Sequence, residues 1–99
     1  MILLTGAQEL RVGIKVKLDL ALQQLAGNKE KVEVNGTTVK LCLNDLIKRF
    51  PRIRKWLFDE NGSVIPTVLI NGDVLSVEEL NRTVTENDEL WLINILEGG

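Results

Sequence analysis

Histidine is absent from the chain, cysteine occurs once, proline twice, and aromatic residues make up 4%. Without histidine, the commonest general base near neutral pH and the commonest metal ligand are both missing. A single thiol, Cys42, makes neither an internal disulfide nor a cysteine-based zinc site, and it suits a reducing compartment. No stretch approaches the roughly 20 apolar residues of a membrane-spanning helix. Met1-Ile2-Leu3-Leu4 is apolar, but no basic segment precedes it and the run breaks at Thr5-Gly6. A secretory signal is therefore not expected, and the cytoplasm is the expected location. The net charge of −2 gives no general attraction to nucleic acid or to an anionic membrane. The phosphate-binding patterns G-x-x-x-x-G-K-[ST] and G-x-G-x-x-G are missing, and no Ser-His or Cys-His pair exists for nucleophilic catalysis.

What is present fits one domain of 99 residues, with 44% hydrophobic and 26% charged residues. Val12, Ile14, Val16 and Leu18 alternate with Gly13, Lys15 and Lys17, the period of a half-buried strand. Leu20–Ala26 suits a short helical turn that Gly27-Asn28 ends, and Lys31–Val34 resumes the alternation. After a turn at Asn35-Gly36, Thr38 is a candidate N-cap. Val39, Leu43, Leu46, Ile47 and Phe50 then fall on one helical face, which Pro51 terminates. Cys42 borders that face and is most simply a small buried hydrophobe, and Leu41 lies off it. Arg52–Phe58 reads as a second short helix. Val64–Ile70 reads as a strand whose Pro66 calls for an edge or a bulge. Asn71-Gly72 is a hairpin-type turn, Val74-Leu75 a brief strand, Ser76 a possible cap, and Glu89–Leu96 the last strand. Strands on both sides of one main helix predict an α+β domain, with one sheet face left for water or a partner.

Three features are candidates for function. Carboxylates adjoin at Asp59-Glu60, Glu78-Glu79 and Asp88-Glu89, but turns and helix starts are solvated and nothing there buries a pair to raise its pKa. Lys48, Arg49, Arg52, Arg54 and Lys55 form a basic cluster, either an anionic-partner patch or a solvated helix end. The last strand is the third. With Leu90 and Leu92 facing the helix, Trp91, Ile93 and Ile95 face the other way, as a partner-docking surface would. Beyond it come Gly98 and Gly99. A terminal carboxylate is ionised and a poor electrophile at pH 7. It reacts only once a partner enzyme converts it to a mixed anhydride. Glycines, lacking Cβ, let such a tail thread a narrow channel.

Several blocks together resemble the ubiquitin-like MoaD/ThiS-type sulfur carriers, over about Val12 to Gly99. They are Leu20–Gly27, Gly36–Val39, Phe50–Arg54, Leu57-Phe-Asp-Glu-Asn-Gly62, Ile70–Asp73, Asn87–Leu90 and Gly98-Gly99. The resemblance implies a β-grasp fold, a mixed sheet of four or five strands with one main helix packed on one face. Residues 1–10 would be an N-terminal extension, 11–96 the domain and 97–99 a flexible tail. The chain would be a carrier rather than an enzyme, the small subunit of a synthase complex, with no cofactor of its own.

In such carriers a ubiquitin-activating-type adenylyltransferase (MoeB/ThiF-like) uses ATP to adenylate the terminal carboxylate, and a sulfur donor then makes the thiocarboxylate. Mapped here, Gly99 carries the sulfur, Gly98 gives passage, and a synthase large subunit accepts the sulfur. Molybdopterin synthesis is the expected use, favoured by the Leu57–Gly62 block. Ile93–Glu97 lacks the proline common in that branch. Thiamine thiazole or cysteine synthesis, protein modification at lysine, and a noncatalytic β-grasp domain binding RNA or protein are the alternatives. Nucleic acid and membrane are not expected partners.

Overall fold

The computed structural model describes residues 13–93. Strand β1 (Gly13–Leu18) enters helix α1 (Leu20–Gln23), and β2 (Lys31–Asn35) leads to the main helix α2 (Val39–Arg49). A 3-10 turn over Pro51–Ile53 runs into α3 (Arg54–Leu57). Then come β3 (Thr67–Ile70), β4 (Asp73–Val74), a 3-10 turn over Val77–Glu79, and β5 (Glu89–Ile93). The five strands form one sheet in the order β2-β1-β5-β3-β4. β1 and β5 pair in parallel at its centre and the other pairings are antiparallel. This mixed sheet with one main helix is the ubiquitin-like β-grasp fold.

The alternation of the strands decides which face is covered. Ile14, Val16 and Leu18 of β1, Val32 and Val34 of β2, Val68 and Ile70 of β3, and Leu90 and Leu92 of β5 are all buried on one side. They meet Val39, Cys42, Leu43 and Leu46 of α2, with Ile53 and Leu57 closing the far end. Each large aliphatic side chain so buried contributes about 1.5–3 kcal/mol.

Helix α2 starts where the orphan N–H groups of its first turn find acceptors. Val39 N–H donates to the Arg82 carbonyl (3.1 Å) and Lys40 N–H to the Leu80 carbonyl (2.9 Å). Leu41 N–H donates to Thr38 Oγ1 (3.2 Å), so Thr38 is the N-cap the sequence suggests. The loop before β5 thus ties the helix to the sheet. Gly36 lets the β2–α2 connection lie close against the helix, since a Cβ there would lie 2.7 Å from the backbone nitrogen of Cys42.

The elements differ from the sequence reading in a few places. β3 begins at Thr67 rather than Val64, because Pro66 has no N–H for the ladder; Val64 pairs only with Phe58, as an isolated bridge. The Arg52–Phe58 helix is a 3-10 turn from Pro51 followed by one α turn. β4 is Asp73–Val74, and Leu75 turns inward to the core. Helix α1 stops at Gln23, and turns carry the chain to Gly27 and Asn28, both with positive φ. Cys42 is fully buried, the small hydrophobe the sequence suggests, whereas Ile47 and Phe50 of the expected apolar face are only half-buried. Val12 and residues 94–96 of the expected strands lie outside the described residues, as do residues 1–10 and 97–99.

Candidate functional site

The sheet face that no described element covers carries the side chains that alternation points away from α2. Its centre is Trp91 on β5, 37% exposed. The strand registers set Lys17 of β1 beside Trp91, and Leu69 of β3 on its other side. Lys31 of β2 continues the row beyond Lys17, and Val74 of β4, 69% exposed, beyond Leu69. One line across the whole sheet is therefore Lys31, Lys17, Trp91, Leu69, Val74. Half-buried Ile93 stands opposite Thr67, next along β5.

Local contacts hold the indole in place. Lys17 Nζ lies 4.4 Å from the centroid of the Trp91 ring, a cation–π contact, and Trp91 Nε1 donates to Glu89 Oε1 (3.1 Å). Lys31 pairs with Glu89 at 3.8 Å. A shallow groove of about 290 Å³ opens beside the ring, lined by Lys17, Leu18, Asp19, Glu30, Trp91, Leu92 and Ile93. The face thus combines apolar bulk at Trp91, Leu69 and Val74 with the Lys17 and Lys31 cations at one side.

The start of β5 is fixed by the hairpin before it. Asn71 and Gly72 both have positive φ, as a type I′ turn demands. Asn71 Nδ2 donates to Asp88 Oδ1 (2.8 Å), and Glu89 N–H donates to Asn71 Oδ1 (3.0 Å). β5 is thus anchored at its beginning and paired on both sides. Gly98 and Gly99 follow Ile93 by five and six residues in sequence.

No described group with a perturbed pKa titrates near neutrality. Burial, and then the nearby Asp45 charge, push the Cys42 thiol up to about 11, so it is a packed hydrophobe rather than a nucleophile. Glu79 is held below the usual carboxylate range by the Ser76 N–H and hydroxyl. Asp88 is held low by the Asn71 amide and the Thr85 N–H. For Asp45, partial desolvation opposes ionisation, but the Asn35 N–H and the Arg49 guanidinium outweigh it and the net shift is downward. Asp59, Glu60, Glu78 and Glu79 are exposed, while Asp88 and Glu89 are half-buried. No cluster of three or more potential metal ligands occurs among the described residues, and none of the described helices is long and apolar enough to cross a membrane.

Of the residues singled out in the sequence, Trp91 and Ile93 share this open face, away from the buried Leu90 and Leu92. Ile95, Gly98 and Gly99 lie outside the described residues. The sequence reading passed over Lys17, Leu69 and Val74. Alternation within β1 and β3 would have put Lys17 and Leu69 on the outer face, but only the strand order sets them beside Trp91.

No protein-family model and no curated protein matches the sequence. Solved structures do match. The chain is similar to small archaeal modifier protein 1 from Haloferax volcanii, with 27% identity and a TM-score of 0.76, over 88% of this chain and 99% of that one. A chain of the BexX/CysO complex from Amycolatopsis orientalis is 24% identical with a TM-score of 0.74, over 87% and 99%. A putative molybdopterin converting factor, subunit 1, from Pyrococcus furiosus is 22% identical with a TM-score of 0.68, over 86% and 99%. Structural neighbours of this chain are ubiquitin-like proteins of the MoaD/ThiS type, the class that the sequence blocks resemble.

Proposed function

We propose that the chain is a sulfur carrier whose terminal Gly99 carboxylate is the reacting group and whose chemistry is done by partner enzymes. The observation that supports it is the arrangement of β5. The strand is gripped on both sides in the sheet centre, shows Trp91 and Ile93 on the open face, and leads toward Gly98-Gly99 in sequence. A partner binding the Trp91 face would hold the base of the tail in a fixed place, so that the tail searches only a small volume. That is the entropic advantage of a tethered reactant. The neighbours are small carrier or modifier proteins rather than catalysts, which supports a role as the carried partner.

The proposed cycle begins when the Gly99 carboxylate attacks the α-phosphorus of ATP on an adenylyltransferase. Pyrophosphate leaves and an acyl-adenylate remains. A persulfide sulfur on the donor then attacks the carbonyl carbon and AMP leaves. A second thiol attacks the donor-side sulfur of the resulting acyl disulfide, so that the thiocarboxylate departs and the donor is left as a disulfide. Gly98 provides passage into the partner's channel, and Ile95 extends the docking face. ATP belongs to the activating enzyme, and this chain needs no cofactor. A synthase large subunit is the proposed sulfur acceptor. Molybdopterin synthesis is the proposed pathway, on the strength of the Leu57–Gly62 block; the 22% identity to the Pyrococcus protein adds the fold alone.

ATP–pyrophosphate exchange by a cognate activating enzyme tests the first step. Exchange should depend on this chain and vanish when Gly98 and Gly99 are deleted. Exchange that persists without them would sink the proposal.

A second reading, protein modification, is favoured by the similarity to small archaeal modifier protein 1. It uses the same activated tail, with a lysine amine displacing AMP to form an isopeptide bond. Adducts of higher mass on other proteins would distinguish it.

A further inference from the structure

The helix side of the domain carries a second surface that the carrier chemistry leaves unused. Between Thr38 and Phe58 the sequence holds six cations, Lys40, Lys48, Arg49, Arg52, Arg54 and Lys55, and one carboxylate, Asp45. That is half of the chain's 12 cations in a protein whose net charge is −2. Asp45 is already engaged by Arg49 at 2.9 Å. Lys40, Arg54 and Lys55 border an open groove of about 990 Å³ together with Asn44. Its apolar wall is Phe58, half-buried, and Ile65, 45% exposed. Among the described residues none of these three cations is in an ion pair, although Asp59 and Glu60 border the same groove. Asp59 Oδ1 instead accepts the N–H groups of Asn61 (2.8 Å) and Ser63 (2.9 Å), shaping the turn.

We infer that this groove is a docking site for an acidic segment of a partner protein that carries an apolar anchor residue. The anchor covers Phe58 and Ile65, the acidic groups meet Lys40, Arg54 and Lys55, and the Asn44 amide is placed to bond the segment's backbone. Charge complementarity selects this occupant. Asp59 and Glu60 oppose any anion beside them, but a peptide can set its apolar anchor or neutral residues there, whereas a polyphosphate, charged at every unit, cannot. Exposed Trp56 alone is no stacking ladder for bases. Arginine in such a site holds carboxylates in two-point contacts, while the lysines add longer-range attraction. The groove lies among the helices, and the Trp91 face is on the uncovered side of the sheet. A partner held here would leave the sheet face open for a second protein. The inference does not depend on tail chemistry, so it stands or falls separately from the carrier role.

The test uses the full chain labelled with nitrogen-15 and three probes followed by amide shift changes. The probes are the peptide Asp-Asp-Leu-Glu-Phe-Glu-Asp, a peptide of this chain's last six residues, and a 20-nucleotide single-stranded RNA. The acidic peptide should move the amides of Lys40, Asn44, Arg54, Lys55 and Ile65 and leave Trp91 unmoved. The pair Arg54→Ala and Lys55→Ala should weaken it about tenfold, with the spectrum otherwise retained, and affinity should fall as salt rises. Ile65→Ser should weaken it at constant salt dependence, which separates the apolar anchor from the charges. Perturbation centred on Trp91, no groove shifts at millimolar peptide, or groove binding by the RNA or the tail peptide in preference to the acidic one would each overturn the inference.

Discussion

Lys17 and Trp91 face each other across the parallel β1–β5 register, with the ammonium 4.4 Å from the ring centroid on the open side of the sheet. The contact is solvent-facing, so its contribution to folding is about 0.5–1 kcal/mol. Trp91→Ala should therefore lower the urea-unfolding free energy by no more than about 1.5 kcal/mol. The same change should weaken binding to an activating or sulfur-accepting enzyme at least about tenfold, as loss of a central aromatic anchor does. Titration calorimetry and urea melts on one preparation separate the two effects. Leu90→Ala, one residue away and fully buried, should do the reverse, costing about 2–5 kcal/mol of stability.

Asp45 links β2 to α2, accepting from Asn35 N–H (2.8 Å) and Arg49 Nε (2.9 Å) through one oxygen, Oδ2. Its folded pKa is lowered, so the native state prefers the ionised form. The stabilisation is complete above the unfolded pKa of about 3.9 and is lost as pH falls through the lower folded value. Asp45→Asn should cost about 1 kcal/mol at pH 7, a modest figure because the pair is partly solvated. The gap between variant and parent should shrink as the pH drops below about 4. Urea midpoints measured at pH 7 and pH 3 check the sign.

Gly36 is the closest approach of the β2–α2 connection to the helix. A methyl there meets the Cys42 nitrogen at 2.7 Å and Sγ at 2.9 Å, and the nitrogen belongs to backbone already bonded to the Thr38 carbonyl. Gly36→Ala should destabilise by about 1–3 kcal/mol, as overpacking does, visible as a lower thermal midpoint.

Cys42 should resist thiol reagents in the native protein. Its side chain is buried and its pKa is raised to about 11, so little thiolate forms at pH 8. Ellman's reagent should label it only at the rate of unfolding, and rapidly in 8 M urea. Prompt labelling of native protein would show that the α2 face opens readily.

Much of this fold was legible in the sequence because its signals are local. Period-two runs marked β1, β2 and the inward Leu90 and Leu92, and Val39, Leu43 and Leu46 marked the buried stripe of α2. Thr38 and Asn71-Gly72 act as residue chemistry says they should. Pro66 suggests only an edge or a bulge within a Val64–Ile70 strand, yet the strand starts at Thr67, because the missing N–H stops the ladder there. The row through Lys17, Trp91, Leu69 and Val74 was not legible, because side-by-side placement comes from strand order and register, which are long-range. The groove was hidden for a related reason. The basic cluster was plain in sequence, but its union with Phe58 and Ile65 depends on the turn at Asp59–Gly62 folding back.

The carrier role turns on the chemical state of Gly99. Intact-mass measurement after incubation with a cognate activating enzyme, ATP and a sulfur donor reads that state directly. The account predicts one oxygen replaced by sulfur in the full chain, and no change in a chain lacking Gly98 and Gly99. A chain that binds the activating enzyme through the Trp91 face with ATP and donor present, yet keeps its original mass, would contradict it.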